Sequence, residues 1–121
     1  MHPQLERRRL ISDPHPSQRP ALFLDRDGVL IKDKHHISDP SEVELCSGAQ
    51  LLLQQAHQRN WPVVVITNQS GIARGYFNWD AYERVNDRIL DLLGGSAPVA
   101  AIYANGHGPQ ASPTSLSLIH I

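Results

Sequence analysis

Cysteine is almost missing from this chain: Cys46 is the single thiol in 121 residues, so no disulfide can close within it, and a reducing cytoplasmic setting is the expectation. Long hydrophobic runs are missing as well. No stretch reaches the roughly 18 consecutive apolar residues of a membrane-spanning helix. Arg7-Arg8-Arg9 is followed only by Leu10-Ile11 before polar residues and prolines, which leaves no core for a signal peptide. A large excess of either charge is absent too. A net charge of -1 sets up no long-range field toward nucleic acid or an anionic membrane, and it points instead to a small-molecule partner. One domain is the expectation for a chain of this length.

Residues 1–20 carry Pro3, Pro14, Pro16 and Pro20 beside the three arginines, a composition with too little apolar surface to offset ordering entropy, and they are expected to form a mobile tail. Beyond them the pattern turns regular. Ala21-Leu22-Phe23-Leu24 predicts a short buried strand running into the loop Asp25-Arg26-Asp27-Gly28. Between Gly48 and Asn60 the residues Leu51, Leu52 and Ala56 suggest one helical face, closed by Trp61-Pro62. Val63-Val64-Val65-Ile66 repeats the strand pattern and opens into Thr67-Asn68-Gln69-Ser70-Gly71. Asn78 can cap a helix whose Tyr82, Val85, Ile89, Leu92 and Leu93 line one side, stopped by Gly94-Gly95, and Ala100-Ala101-Ile102-Tyr103 predicts a third strand. Strands alternating with helices imply an α/β fold, a parallel Rossmann-like sheet with flanking helices, whose ligands bind beyond the carboxyl ends of the strands. Both polar clusters fall at such ends.

Asp25 and Asp27 are two residues apart at a strand end, so an extended backbone turns both carboxylates to one side. Carboxylates so close favour either a hard cation between them or a proton kept on one of them. Either arrangement suits phosphoryl transfer, with magnesium held by oxygen ligands or with one carboxylate as nucleophile and its neighbour as acid and base. Taken alone, Asp-x-Asp-Gly is equally a turn in which aspartate and glycine satisfy local geometry.

Phe23 to Leu30 followed by Val64 to Gly75, with the stretch Thr67-Asn68-Gln69-Ser70-Gly71-Ile72-Ala73-Arg74-Gly75, resembles the first two motifs of haloacid-dehalogenase-type phosphatases. Within them it is similar to the heptose bisphosphate branch, with histidinol phosphatases and polynucleotide 3'-phosphatases as near relatives. The resemblance spans residues 21–109 and implies a magnesium-dependent phosphomonoesterase. It assigns Asp25 as nucleophile and Asp27 as general acid and base, the two also holding magnesium. Arg26, Gly28, Thr67, Asn68 and Arg74 would meet the substrate's phosphates. The alternatives are a histidinol phosphate or a nucleic-acid 3'-phosphate as substrate, or a phosphate-binding module without turnover. His35-His36 stand where the family usually has glycine and tyrosine, which loosens the substrate assignment within the expected specificity loop, Lys32 to Pro40. A zinc site is not expected, because Asn105 replaces the cysteine that begins the clamp of many relatives.

The family's later motifs, a lysine and an acidic pair, have no counterpart after Tyr103, so the chain is expected to hold the first half of a monomeric parent enzyme and to be inactive by itself. Residues 110–121 are expected to be a non-native or disordered tail. Leu116-Ser117-Leu118-Ile119-His120-Ile121, read back through the genetic code, match the end sequence of a transposon used in preparing sequencing libraries.

Overall fold

The computed structural model describes residues 5–12 and 20–107. Its elements are β1 (Glu6–Leu10), β2 (Leu22–Asp25), α1 (Ala49–Gln58), β3 (Val63–Asn68), the short helix α2 (Ser70–Ala73), α3 (Trp79–Leu93) and β4 (Ala101–Asn105), with a single 3-10 turn at Pro40–Glu42. The strands form one sheet in the order β1-β4-β3-β2. β2, β3 and β4 run parallel, with Asp25 opposite Ile66 and Asn68 opposite Asn105, so the carboxyl ends of β2 and β3 open onto the same edge of the sheet.

The valine-rich β3 and the alanine-rich β4 are central strands, and their burial on both faces explains why neither alternates between apolar and polar residues. On one face Val63, Val65 and Ile102 pack with Leu53 and Ala56 of α1 and with Val85, Ile89 and Leu93 of α3. On the other, Val64, Ala101 and Tyr103 form a second cluster with Ile66 beside it. The Asn78 side chain accepts from the Ala81 amide and caps α3, and Gly94, at φ +78°, ends it.

Three expectations require correction. β2, read as a buried strand, lies at the edge of the sheet among the described residues, with Phe23 exposed. Within the segment read as a mobile tail, Glu6–Leu10 is an edge strand, antiparallel to β4. Arg9 bonds Asp87 at 2.8 Å, and the Arg7 guanidinium lies 5.1 Å from the centre of the Trp79 ring. Alternate arginines of β1 thus reach α3, a contact that no local pattern announces. On α1 the buried face is Ala49, Leu53 and Ala56, whereas Leu51 and Leu52 are exposed. Spacings of four and three residues place those three positions one above another. The tail expected over 110–121 lies outside the described residues.

Candidate active site

After β2 the backbone closes a tight loop. The amides of Leu30 and Ile31 donate to the Arg26 carbonyl at 2.9 and 3.0 Å, and the Gly28 amide donates to the Ile31 carbonyl at 2.7 Å. Gly28 has φ +92°, a conformation open to glycine at little cost. Its amide is therefore spent inside the loop, so Gly28 shapes the turn and does not offer its N–H to a phosphate as expected. None of the loop's backbone bonds uses the Asp27 carbonyl.

Asp27 is the centre of a hydrogen-bonded cluster. Its Oδ2 accepts from Arg26 Nε at 3.0 Å, Gln69 Nε2 at 2.9 Å and Thr67 Oγ1 at 3.2 Å, and its Oδ1 accepts from Arg26 Nη2 at 3.2 Å. Gln69 Nε2 also lies 2.7 Å from Thr67 Oγ1. Thr67 comes from β3 and Gln69 follows the strand, so the second polar cluster of the sequence is folded onto the first. Asp25, at the end of β2, is exposed, and among the described residues its carboxylate carries no hydrogen bond or ion pair.

A cavity of about 150 Å³ is lined by Asp27, Asp33, His35, His36, Asn68, Gln69 and Ser70. Asn68 thus lines the same cavity as Asp27. Arg74 is exposed at the end of α2 and stands outside this lining. Arg26, expected to touch phosphate, is instead turned inward. Only 1% of it is exposed, Asn86 Oδ1 accepts from its Nη1 at 3.1 Å, and its guanidinium lies 5.4 Å from the centre of the Tyr82 ring. A side chain so enclosed has no face left for a substrate.

Gln69 and Asn86 have no role expected from the sequence, and His35 and His36 enter it only as departures within the expected specificity loop. Asn86 carried a signal, because it falls on the apolar stripe of α3 between Val85 and Ile89 and a polar residue there needs a buried partner. His35 and His36 both have positive φ, 57° and 51°, and the His36 ring packs edge-on against Tyr76 at 5.0 Å. Left-handed backbone costs on the order of 1 kcal/mol per non-glycine residue, which accounts physically for a glycine where the family has one.

The donors that could hold magnesium are hard oxygens, the free Asp25 carboxylate and the Asp27 carbonyl. They fit a cation that takes one or two carboxylates and keeps waters and phosphate oxygens. Among the described residues no group of three His, Cys, Asp or Glu gathers into a complete site. Asn105 is occupied structurally: its Oδ1 accepts from the His107 amide at 2.9 Å and its carbonyl from the Gln69 amide at 2.7 Å.

A protein described as a HAD-like phosphatase, from Mesorhizobium loti, superposes with a TM-score of 0.78 at 41% identity, over 89% of this chain and 55% of its own. The chain belongs to the haloacid-dehalogenase-like phosphatases. A D-glycero-beta-D-manno-heptose-1,7-bisphosphate 7-phosphatase of Mesorhizobium japonicum is 44% identical over 81% of this chain and 48% of its own. The D,D-heptose 1,7-bisphosphate phosphatase of B. bronchiseptica, solved with magnesium and phosphate, matches at 32% identity and a TM-score of 0.72, over 78% of this chain and 54% of its own. The chain spans about half the length of the curated relative with which it shares 44% identity. No family model matches it.

Proposed function

We propose that the protein of which this chain is part hydrolyses a phosphomonoester of a sugar bisphosphate, with heptose 1,7-bisphosphate as the first candidate. The observation that carries this reading is the pair at the end of β2: Asp25 exposed and unpartnered among the described residues, and Asp27 fixed beside it by Thr67 and Gln69. Similarity to phosphatases of heptose bisphosphates supports the substrate class.

In this mechanism an Asp25 carboxylate oxygen attacks phosphorus, forming an aspartyl-phosphate as the bond from phosphorus to the sugar oxygen breaks. Asp27 gives its proton to the departing oxygen. With three donors on Oδ2 and a single 3.2 Å contact on Oδ1, Oδ1 is the oxygen with room for that proton. In the second half Asp27 takes a proton from water as the water attacks phosphorus, which frees Asp25 and inorganic phosphate. Asn68, which lines the cavity, would bind phosphoryl oxygens, and Arg74 would meet a second phosphate only where the substrate extends beyond the cavity. Asp25 and the Asp27 carbonyl would hold magnesium, which when bound neutralises charge on the transferring group.

His35 and His36, in place of the family's usual pair, favour one further reading, a neighbouring specificity toward histidinol phosphate or a nucleic-acid 3'-phosphate. We further place the protein in the cytoplasm as a monomer with a phosphorylated small molecule as partner. The net charge of -1 supports the small-molecule partner, and no described helix is long and apolar enough to cross a membrane. The test is phosphate release by the full-length protein, with and without magnesium, from the heptose bisphosphate, histidinol phosphate and a 3'-phosphorylated oligonucleotide. Magnesium-dependent release from the sugar bisphosphate, lost in Asp25→Asn, is expected. Failure to release phosphate from any of the three would sink the reading.

A further inference from the structure

Arg26 is the most enclosed charged side chain among the described residues, and the chemistry above does not use it. A buried guanidinium is expensive unless its donors are satisfied. Here Nε and Nη2 form a two-pronged contact with both oxygens of Asp27, while Nη1 points the other way to Asn86 Oδ1 at 3.1 Å. Asn86 is itself fully buried, and its Nδ2 is 3.4 Å from Glu83 Oε1. Tyr82, one turn earlier on α3, lays its ring against the guanidinium. A planar fork gripped at both ends cannot rotate without breaking a charged hydrogen bond. Asn86 and Tyr82 belong to a helix of 15 residues whose apolar stripe is locked into the core, so the far end of the fork is anchored to rigid structure.

We propose that Asn86 is a positioning residue for the reaction: it fixes Arg26, and Arg26 in turn holds the Asp27 carboxyl at the orientation needed to deliver a proton to the leaving oxygen. The inference rests on Asp27 acting as acid and base. Neither Asn86 nor Arg26 touches substrate, so their effect falls on the proton-transfer step and not on binding. This gives a signature that a merely structural residue lacks. A sugar alkoxide is a poor leaving group and needs the proton, whereas p-nitrophenolate leaves without one.

The experiment uses the full-length protein and the variants Asn86→Leu, Asn86→Asp and Arg26→Lys, with a sugar bisphosphate and p-nitrophenyl phosphate as substrates. Asn86→Leu removes the acceptor at similar volume. It should lower kcat on the sugar bisphosphate by about 10- to 100-fold, up to the lower end of the roughly 10²–10⁴-fold that general acid catalysis supplies, with KM changed by less than about twofold. On p-nitrophenyl phosphate the loss in the aspartyl-phosphate-forming step, read as the pre-steady-state burst of p-nitrophenolate, should stay below about threefold, while the later water-attack step, common to both substrates, slows alike. Asn86→Asp keeps an acceptor in the same place and should recover most of the rate. Arg26→Lys breaks the fork and should reproduce the leaving-group signature, so it carries the test if Asn86→Leu fails to fold.

A second readout does not depend on turnover. The Arg26 side-chain N–H protons should exchange slowly by NMR in the wild type and in Asn86→Asp, and rapidly in Asn86→Leu. Equal losses on both substrates in the aspartyl-phosphate-forming step, a rise in KM alone, or unchanged exchange in Asn86→Leu would each overturn the inference. An inactive wild type with protected Arg26 protons would count against the phosphatase reading and leave the anchoring intact.

Discussion

The Thr67 hydroxyl of β3 donates to Asp27 Oδ2 across 3.2 Å, joining residues 40 positions apart in the chain. One proton cannot serve two acceptors at once. In the proposed chemistry Thr67 would release Asp27 when its hydroxyl turns to a phosphoryl oxygen, and Gln69, bonded to both, would hold Asp27 meanwhile.

Replacing Thr67 by valine removes the hydroxyl while nearly keeping the shape. The full-length protein should retain its fold and lose about 10²-fold in kcat, the usual effect of deleting one donor to the charge that develops in the transition state. Steady-state kinetics on a sugar bisphosphate, with the unfolding midpoint as control, checks this.

The buried face of α1 makes a second expectation. Leu53 is fully buried in the main core, whereas Leu51 is 57% exposed. Leu53→Ala should destabilise by about 2–5 kcal/mol. Leu51→Ala should stay within about 0.5 kcal/mol. Denaturant unfolding of the two variants separates the observed helix face from the one suggested by Leu51 and Leu52.

Alkaline pH gives a third. Burial raises the Tyr82 hydroxyl from 10.0 to about 12. Because the folded value is the higher, the folded state keeps its proton where the unfolded state has lost it. Its contribution is complete below pH 10 and falls away between about 10 and 12, at up to about 1.4 kcal/mol per pH unit. The difference in unfolding free energy between wild type and Tyr82→Phe should shrink across that window.

β2 makes the fourth. It lies at the edge of the sheet, and Phe23 on it is 49% exposed. An uncovered apolar edge invites pairing with other chains. The isolated 121-residue chain should associate with rising concentration, and Phe23→Lys should reduce that association in analytical ultracentrifugation. A chain that stays monomeric and unfolds cooperatively without the substitution would count against this.

The central sheet was legible because β2 to β4 are short apolar runs and α3 carries both a cap and a stripe. β1 was not. Its arginines become a strand only through Asp87 and Trp79, some 70 to 80 positions later in the chain. Asp25, Asp27 and Asn68 could be placed from their positions at strand ends. The inward turn of Arg26 could not, since nothing within its own segment announces Asn86 or Tyr82. Gln69 was hidden for a similar reason. Its side chain finds Asp27 only after the two strand ends are brought side by side.

The nucleophile is the centre of the proposed chemistry, and it can be caught directly. Full-length protein turning over a sugar bisphosphate labelled in the scissile phosphate is quenched in acid, digested, and searched for the labelled peptide. Label on the peptide containing Asp25, released by hydroxylamine and absent from Asp25→Asn, is the expected result. Label on a different residue, or undiminished turnover in Asp25→Asn, would contradict it.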